Sequence, residues 1–206
     1  GAVIKSYYPN STMRYMGDAD LLIRTDQYKT IQTVLIQNGF TFVIESNHEY
    51  VWQKGVLHLE LHKYLIPSYN KDYFDYYGTG WQLAKVRAGH QYQLNDEDFL
   101  IYLFTHLAKH YRDSGVGIKH FVDIWLYMKA KPALDDRYIR AELKKLQLLD
   151  FYENCLALLQ VWFEHQMADE KTVFMTNWIF ASGAYGTKEN HARSVALKKT
   201  LELKHH

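Results

Sequence analysis

The sequence predicts an α+β fold: a small mixed β-sheet packed by helices, followed by an all-helical C-terminal region. Before residue 94, short β-branched and alternating runs surround one segment of helical periodicity. From residue 94 onward nearly every segment has helical spacing, beginning with the acid-rich turn Asn95–Asp98, whose charges complement the helix dipole. We therefore predict a first domain over residues 1–93 and a helical domain over residues 94–206.

The first half of the chain contains one clear helix, which begins at Thr25 or Asp26 and stops at Gly39. Residues 64–93 have no decisive period, although Gly78-Thr79-Gly80 indicates a loop. The predicted elements are a helix over 26–38 and strands over 40–45, 50–53 and 56–62, with a turn at Lys54-Gly55 between the last two.

The second half is predicted to be a set of helices. In the first of them Phe99, Leu103 and Leu107 form the apolar stripe that faces the core. Cys155 lies among leucines and is interpreted as a buried core thiol. The predicted helices cover residues 95–112, 118–130, 135–147, 150–166 and 169–182.

The strand over 56–62 alternates strictly between apolar and polar residues. Its leucines occupy one face, and His58, Glu60 and His62 occupy the other. A polar row of this kind is usually the solvated face of a sheet. This row contains three residues that can ligate metals, which favours a functional site.

Asp18 and Asp20 are two residues apart and precede the apolar run Leu21–Ile23. On a strand, residues i and i+2 project from the same face, so the two carboxylates would point to one place. Two adjacent anions repel each other unless a cation lies between them. Mg²⁺ commonly binds one or two carboxylates together with substrate phosphates. The pair therefore indicates metal-assisted chemistry on a phosphorylated substrate.

A later helix has His106, Lys109 and His110 on one face, and Asp123 follows on the next helix. Three interpretations remain open. The histidines and an aspartate could ligate zinc, the polar face could line the cleft of the acidic site, or His110 and Asp123 could be a buried hydrogen-bonded pair.

Four separated motifs occur in the order typical of one protein family. They are Tyr8-Pro9, Arg14–Leu22 with its Arg-x-Met-Gly-Asp-x-Asp-Leu-Leu pattern, Glu60–His62, and His106–His110 followed by Asp123. On these motifs the first 125 residues or so resemble the uncharacterised bacterial nucleotidyltransferase family, a branch of the DNA-polymerase-β-like nucleotidyltransferase superfamily.

The resemblance implies a small nucleotidyltransferase sheet and a specific set of roles. Asp18, Asp20 and Glu60 would bind Mg²⁺ (or Mn²⁺) and catalyse transfer of a nucleoside monophosphate from an NTP, such as ATP, to a hydroxyl acceptor. The residues implied to contact the nucleotide are Arg14, Gly17, Lys109 and His110, and those implied to support the site are His62, His106 and Asp123.

Composition limits the partners. The formal net charge is +1 and there is no basic run, so we expect no nucleic acid partner. No apolar stretch is long enough to span a membrane, and a single cysteine permits no intramolecular disulfide, which favours the cytoplasm. The expected partners are an NTP and an unidentified acceptor, which is a small molecule, a peptide or a protein.

Two other functions remain open. The superfamily has a Gly-Ser pair before Asp-x-Asp, whereas here only Gly1, followed by Ala2, precedes Gly17. A catalytically silent nucleotidyltransferase-fold module that binds or regulates is one alternative. The other is a zinc-dependent hydrolase, using either His58, Glu60 and His62 or the pair His106 and His110.

Overall fold

The computed structural model describes residues 1–183, 186–189 and 192, so the end of the predicted 94–206 region lies outside the described residues. The chain divides into two compact units, Gly1–Gln93 and Leu94–His206. The predicted α+β class is confirmed, because the first unit contains a four-stranded mixed sheet and the described part of the second is mainly helical.

The first unit contains the helices α1 (Ala2–Lys5), α2 (Tyr28–Gln37) and α3 (Lys71–Tyr77), and a four-stranded sheet of β1 (Ala19–Leu22), β2 (Thr41–Glu45), β3 (Glu49–Lys54) and β4 (Leu57–His62). The strand order in this sheet is β1-β4-β3-β2. β1 is parallel to β4, whereas β3 is antiparallel to both β4 and β2.

One face of this sheet forms the core of the first unit. Leu35 of α2 is buried with Trp52 of β3 and Leu61 of β4, and Ile23 joins the cluster directly after β1. The predicted alternation in β4 is confirmed, since Leu59 and Leu61 contact this core. The core-facing leucines leave Glu60 and His62 on the opposite face, where the polar row is free to form a site.

The β3–β4 hairpin turns at Gly55 and Val56, one residue later than the predicted turn at Lys54-Gly55, because Lys54 still belongs to β3. Lys54 pairs with Leu57, and the turn between them contains Gly55 with a φ of 57°. Few residues with a side chain adopt this left-handed conformation without strain, which accounts for the glycine.

The stretch without a decisive sequence period contains α3 and a second, two-stranded sheet of β5 (Ala84–Ala88) and β6 (Gln91–Leu94). Trp81 lies between them and donates a hydrogen bond from Nε1 to the carbonyl of Ile23, at 3.3 Å. The Arg24 guanidinium lies 4.2 Å from the centre of the Trp81 ring. These contacts hold the segment after β1 in place.

The five predicted helices of the second unit are confirmed. The first begins at the N-cap Asn95, whose side-chain oxygen accepts a hydrogen bond from the Asp98 N–H at 2.7 Å. Cys155 is fully buried, as predicted, and burial raises the pKa of its thiol. The helices are α4 (Asp96–Asp113), α5 (Ile118–Ala130), α6 (Asp136–Lys145), α7 (Leu149–Phe163) and α8 (Glu170–Ala181).

Across the described residues, every helix is too short or too polar to cross a lipid bilayer.

Candidate functional site

The parallel pairing of β1 and β4 brings two of the predicted acidic residues together. Asp20 stands opposite Glu60 in the register of these strands. Neighbouring residues in register on adjacent strands project from the same face, so their carboxylates share one side of the sheet. Asp20 and Glu60 are far apart in the sequence, and the pairing of β1 with β4 brings them together.

His62 lies two residues after Glu60 on β4, projects from the same face of the sheet and completes this group. Its Nε2 lies 3.2 Å from Oδ1 of Asp20 and 3.5 Å from Oε2 of Glu60. One ligand atom from each of the three residues lies within 4.8 Å of the other two, a spacing that one metal ion can bridge. Two of the three groups are carboxylates, and Nε2 of His62 can either ligate the ion or donate a hydrogen bond that orients these carboxylates.

Burial and neighbouring anions both act on the Glu60 carboxyl. Burial, followed by the charges of Glu49, Asp18 and Asp20, raises the pKa of the Glu60 carboxyl from 4.5 to about 7, against a smaller lowering effect of His62. A bound divalent cation would offset this repulsion. The carboxylate-rich donor set therefore fits a hard cation such as Mg²⁺.

The other predicted residues of the first unit lie just before β1. Asp18 is exposed and close enough for its charge to act on Glu60. Arg14 is buried, and its Nη1 donates a hydrogen bond to the Tyr15 carbonyl at 2.5 Å. Gly17 borders open space, since a Cβ added there would meet no atom within 4 Å.

Two residues that the sequence analysis did not identify also contact His62. Glu49 is the register partner of His62 across β3 and β4, with Oε2 3.4 Å from Nδ1 of His62. Nε2 of His48 lies 2.9 Å from the same Nδ1. The sequence signal was the His48-Glu49 pair, which directly precedes the predicted strand over 50–53.

The predicted residues of the second unit form a histidine cluster. Nε2 of His106 lies 3.2 Å from Nε2 of His110, and the ring of His120 lies 6.1 and 6.0 Å from the two, respectively. Burial is the main cause that lowers the pKa of both His106 and His110, the latter to about 4, and the Lys109 charge adds to it. Asp123 is buried on α5. Contact of this face with nucleotide stays a prediction.

The histidine cluster is expected to make the protein sensitive to acid. The folded state keeps His110 neutral down to about pH 4, whereas the unfolded chain takes up that proton near 6.5. His110 therefore does not lower the free energy of unfolding above pH 6.5, but it lowers this free energy progressively as the pH decreases toward 4. Between pH 6.5 and 4 we expect the His110→Gln variant to lose about 1–2 kcal/mol less of its free energy of unfolding than the wild type, after allowing for partial solvent exposure. Urea unfolding measures this difference.

The exposed His90 offers the matched control. His90→Gln should leave the acid limb of the stability curve unchanged, and an equal flattening in both variants would contradict the assignment to His110.

Among the residues that the structure describes, two groups could hold a metal: Asp20, Glu60 and His62, and His48, Glu49 and His62. Neither includes Asp18 or His58, and neither includes the pair His106 and His110. The two ligand sets considered for a zinc-dependent hydrolase are therefore not assembled in the described part of the chain.

The mixed sheet has Asp18 directly before its first strand and Asp20 within that strand, which pairs in parallel with β4 and its Glu60. This arrangement agrees with the nucleotidyltransferase sheet that the sequence resemblance implies. Comparison with known families agrees: a family model described as "Uncharacterised nucleotidyltransferase" matches residues 1–164. The chain belongs to this family, and the family's name indicates nucleotidyltransferase activity in general terms. No curated protein and no solved structure matches the chain.

Proposed function

We propose that this protein transfers a nucleoside monophosphate from an NTP to a hydroxyl-bearing acceptor, with Mg²⁺ or Mn²⁺ as cofactor. The observation that supports this most is the register match of Asp20 and Glu60 on one face, where burial and then the neighbouring anions raise the pKa of Glu60. Family membership supports the general class of reaction.

In this proposal Asp18 and Asp20 would hold the metal ions, and Glu60 would complete the site. The chemistry supplied there would be positive charge that offsets the triphosphate and the entering and leaving oxygens. The acceptor oxygen forms a bond to the α-phosphorus, the bond from that phosphorus to the bridging oxygen breaks, and pyrophosphate leaves. The hydroxyl proton departs toward the Glu60 carboxylate, and His62 orients Asp20 and Glu60 through Nε2.

The remaining residues would bind the nucleotide and acceptor. Arg14 can hold phosphate oxygens with its planar fork, and the open space at Gly17 lets a phosphate approach the backbone. We assign the catalytic role to residues 1–93 and a supporting role, which includes nucleotide contacts from Lys109 and His110, to the predicted domain over residues 94–206.

Label position tests the reaction directly. The protein is incubated with Mg²⁺ and each NTP labelled either at the α- or at the γ-phosphate, together with pooled metabolites and peptides. Nucleotidyl transfer predicts that α-label enters a product while γ-label leaves as pyrophosphate. Transfer of γ-label would indicate a kinase instead, and nucleotide binding without transfer of either label would favour the silent-module alternative.

A further inference from the structure

The second metal-competent group lies on the other edge of the His62 ring. Nδ1 of His62 faces Nε2 of His48 at 2.9 Å and Oε2 of Glu49 at 3.4 Å. One ligand atom from each residue lies within 4.8 Å of the other two. This edge offers two nitrogens and one oxygen, whereas the Nε2 edge faces the oxygens of Asp20 and Glu60.

The spacing of these atoms suits a small transition-metal ion. Zinc binds imidazole nitrogen at about 2.0–2.1 Å, so two ligand atoms of a tetrahedral site lie about 3.3 Å apart. The observed separations of 2.9 and 3.4 Å need to change by only a few tenths of an ångström. Two imidazoles with one carboxylate also leave a fourth position open, as in zinc sites that bind water or substrate.

The backbone around His48 and Glu49 is held before any metal arrives. The Ser46 hydroxyl oxygen accepts hydrogen bonds from the N–H groups of His48 and Glu49, both at 3.1 Å. The His48 carbonyl accepts a further bond from the Lys63 N–H at 2.8 Å. Because both residues are fixed to the end of the β3–β4 sheet, binding orders little additional chain.

His62 already has the surroundings of a metal-bound imidazole. A ligating histidine almost always donates its second ring N–H to a carboxylate or carbonyl, which fixes the tautomer. Nε2 of His62 lies 3.2 Å from Oδ1 of Asp20. With the proton on Nε2, the lone pair on Nδ1 points toward His48 and Glu49.

We propose that His48, Glu49 and Nδ1 of His62 form a binding site for a transition-metal ion of the Zn²⁺ type, separate from the carboxylate site for Mg²⁺. The two sites lie on opposite edges of one imidazole. Occupancy of the nitrogen-rich site would hold the Nε2 proton toward Asp20 and Glu60, and so fix the orientation of the acids in the neighbouring site.

Metal titration of the full chain tests the site without any assay of transfer. Metal-free protein is titrated with Zn²⁺ by calorimetry and with Co²⁺, whose visible absorption reports a tetrahedral environment. We expect one equivalent of Zn²⁺ to bind in the presence of excess Mg²⁺. His48→Gln should weaken Zn²⁺ binding at least about 100-fold and Glu49→Gln at least about 10-fold.

His58→Gln is the matched control, because His58 is an exposed histidine on β4, the strand of His62, and belongs to neither metal group. It should leave Zn²⁺ affinity unchanged. The proposal fails if wild-type protein binds no stoichiometric Zn²⁺. It also fails if His48→Gln binds like wild type while Asp20→Asn loses the ion, since that result would place zinc at the carboxylate edge.

A measurement on the wild-type protein keeps the test independent of variant folding. Nitrogen-15 spectra of histidine-labelled protein distinguish metal on Nδ1 from metal on Nε2. We expect Zn²⁺ to shift Nδ1 of His62 and Nε2 of His48, with Nε2 of His62 still protonated. Coordination through Nε2 of His62 would overturn the proposal. Neither result depends on nucleotidyl transfer, so the two proposals fail separately.

Discussion

Asp20→Asn is expected to reduce nucleotidyl transfer at least about 10³-fold, equivalent to about 4 kcal/mol of transition-state stabilisation. Asp20 stands opposite Glu60 in the parallel register and supplies one charged oxygen of the candidate metal site. Asparagine keeps the shape but removes the charge that holds the ion and thereby the triphosphate. The measurement is the rate of α-label transfer at saturating Mg²⁺.

The fold should survive this change, since the Asp20 side chain is 46% exposed. Circular dichroism and thermal unfolding check that point. Asp26→Asn is the matched control, because Asp26 is an exposed carboxylate a few residues after β1 and belongs to neither metal group. Wild-type transfer in Asp20→Asn, or an equal loss in both variants, would remove Asp20 from the catalytic site.

Glu60→Gln is expected to stabilise the metal-free protein at neutral pH while it stops transfer. Burial and neighbouring anions raise the pKa of Glu60 from 4.5 to about 7, so the folded state keeps a proton that the unfolded chain releases. The contribution of Glu60 to the free energy of unfolding of the wild-type protein therefore falls as the pH rises from about 4.5 to 7. Because glutamine does not ionise, the free energy of unfolding of the Glu60→Gln variant should not fall in this way over the same pH range.

Solvent screening limits the stabilisation that Glu60→Gln is expected to give. Because the Glu60 side chain is 27% exposed and the shift is partly screened, we expect about 1–2 kcal/mol, or several degrees in melting temperature at pH 8 without metal. Added Mg²⁺ should reverse the order, since it binds the wild-type site and not the variant. Equal pH slopes in wild type and Glu60→Gln, with Asp26→Asn as reference, would disprove the assignment.

Local patterns predicted much of this fold because they act within one element. The strict alternation in Leu57–His62 identified both β4 and its buried face, and the helices after residue 94 followed from apolar spacing and caps. The stretch over residues 64–93 was ambiguous because α3 is short and the β5–β6 hairpin has little alternating apolar pattern.

The site depended on information that no single segment contains. Asp20 and Glu60 were identified by motif, but their contact requires β1 to pair in parallel with β4. Glu49 was missed because its position beside His62 follows from the β3–β4 register, and His48 because it lies in the turn before that strand. Strand pairing is non-local, so a pattern in one strand does not indicate which neighbour it meets.

Calorimetric titration of each NTP into the full chain, with Mg²⁺ and with EDTA, tests whether Asp20 and Glu60 form a metal–nucleotide site. We predict that at least one NTP binds with a dissociation constant of about 1–100 µM only when Mg²⁺ is present. Asp20→Asn should lose this binding and Asp26→Asn should keep it. Binding that is equally tight in EDTA, or undiminished in Asp20→Asn, would contradict a metal–nucleotide site at Asp20 and Glu60.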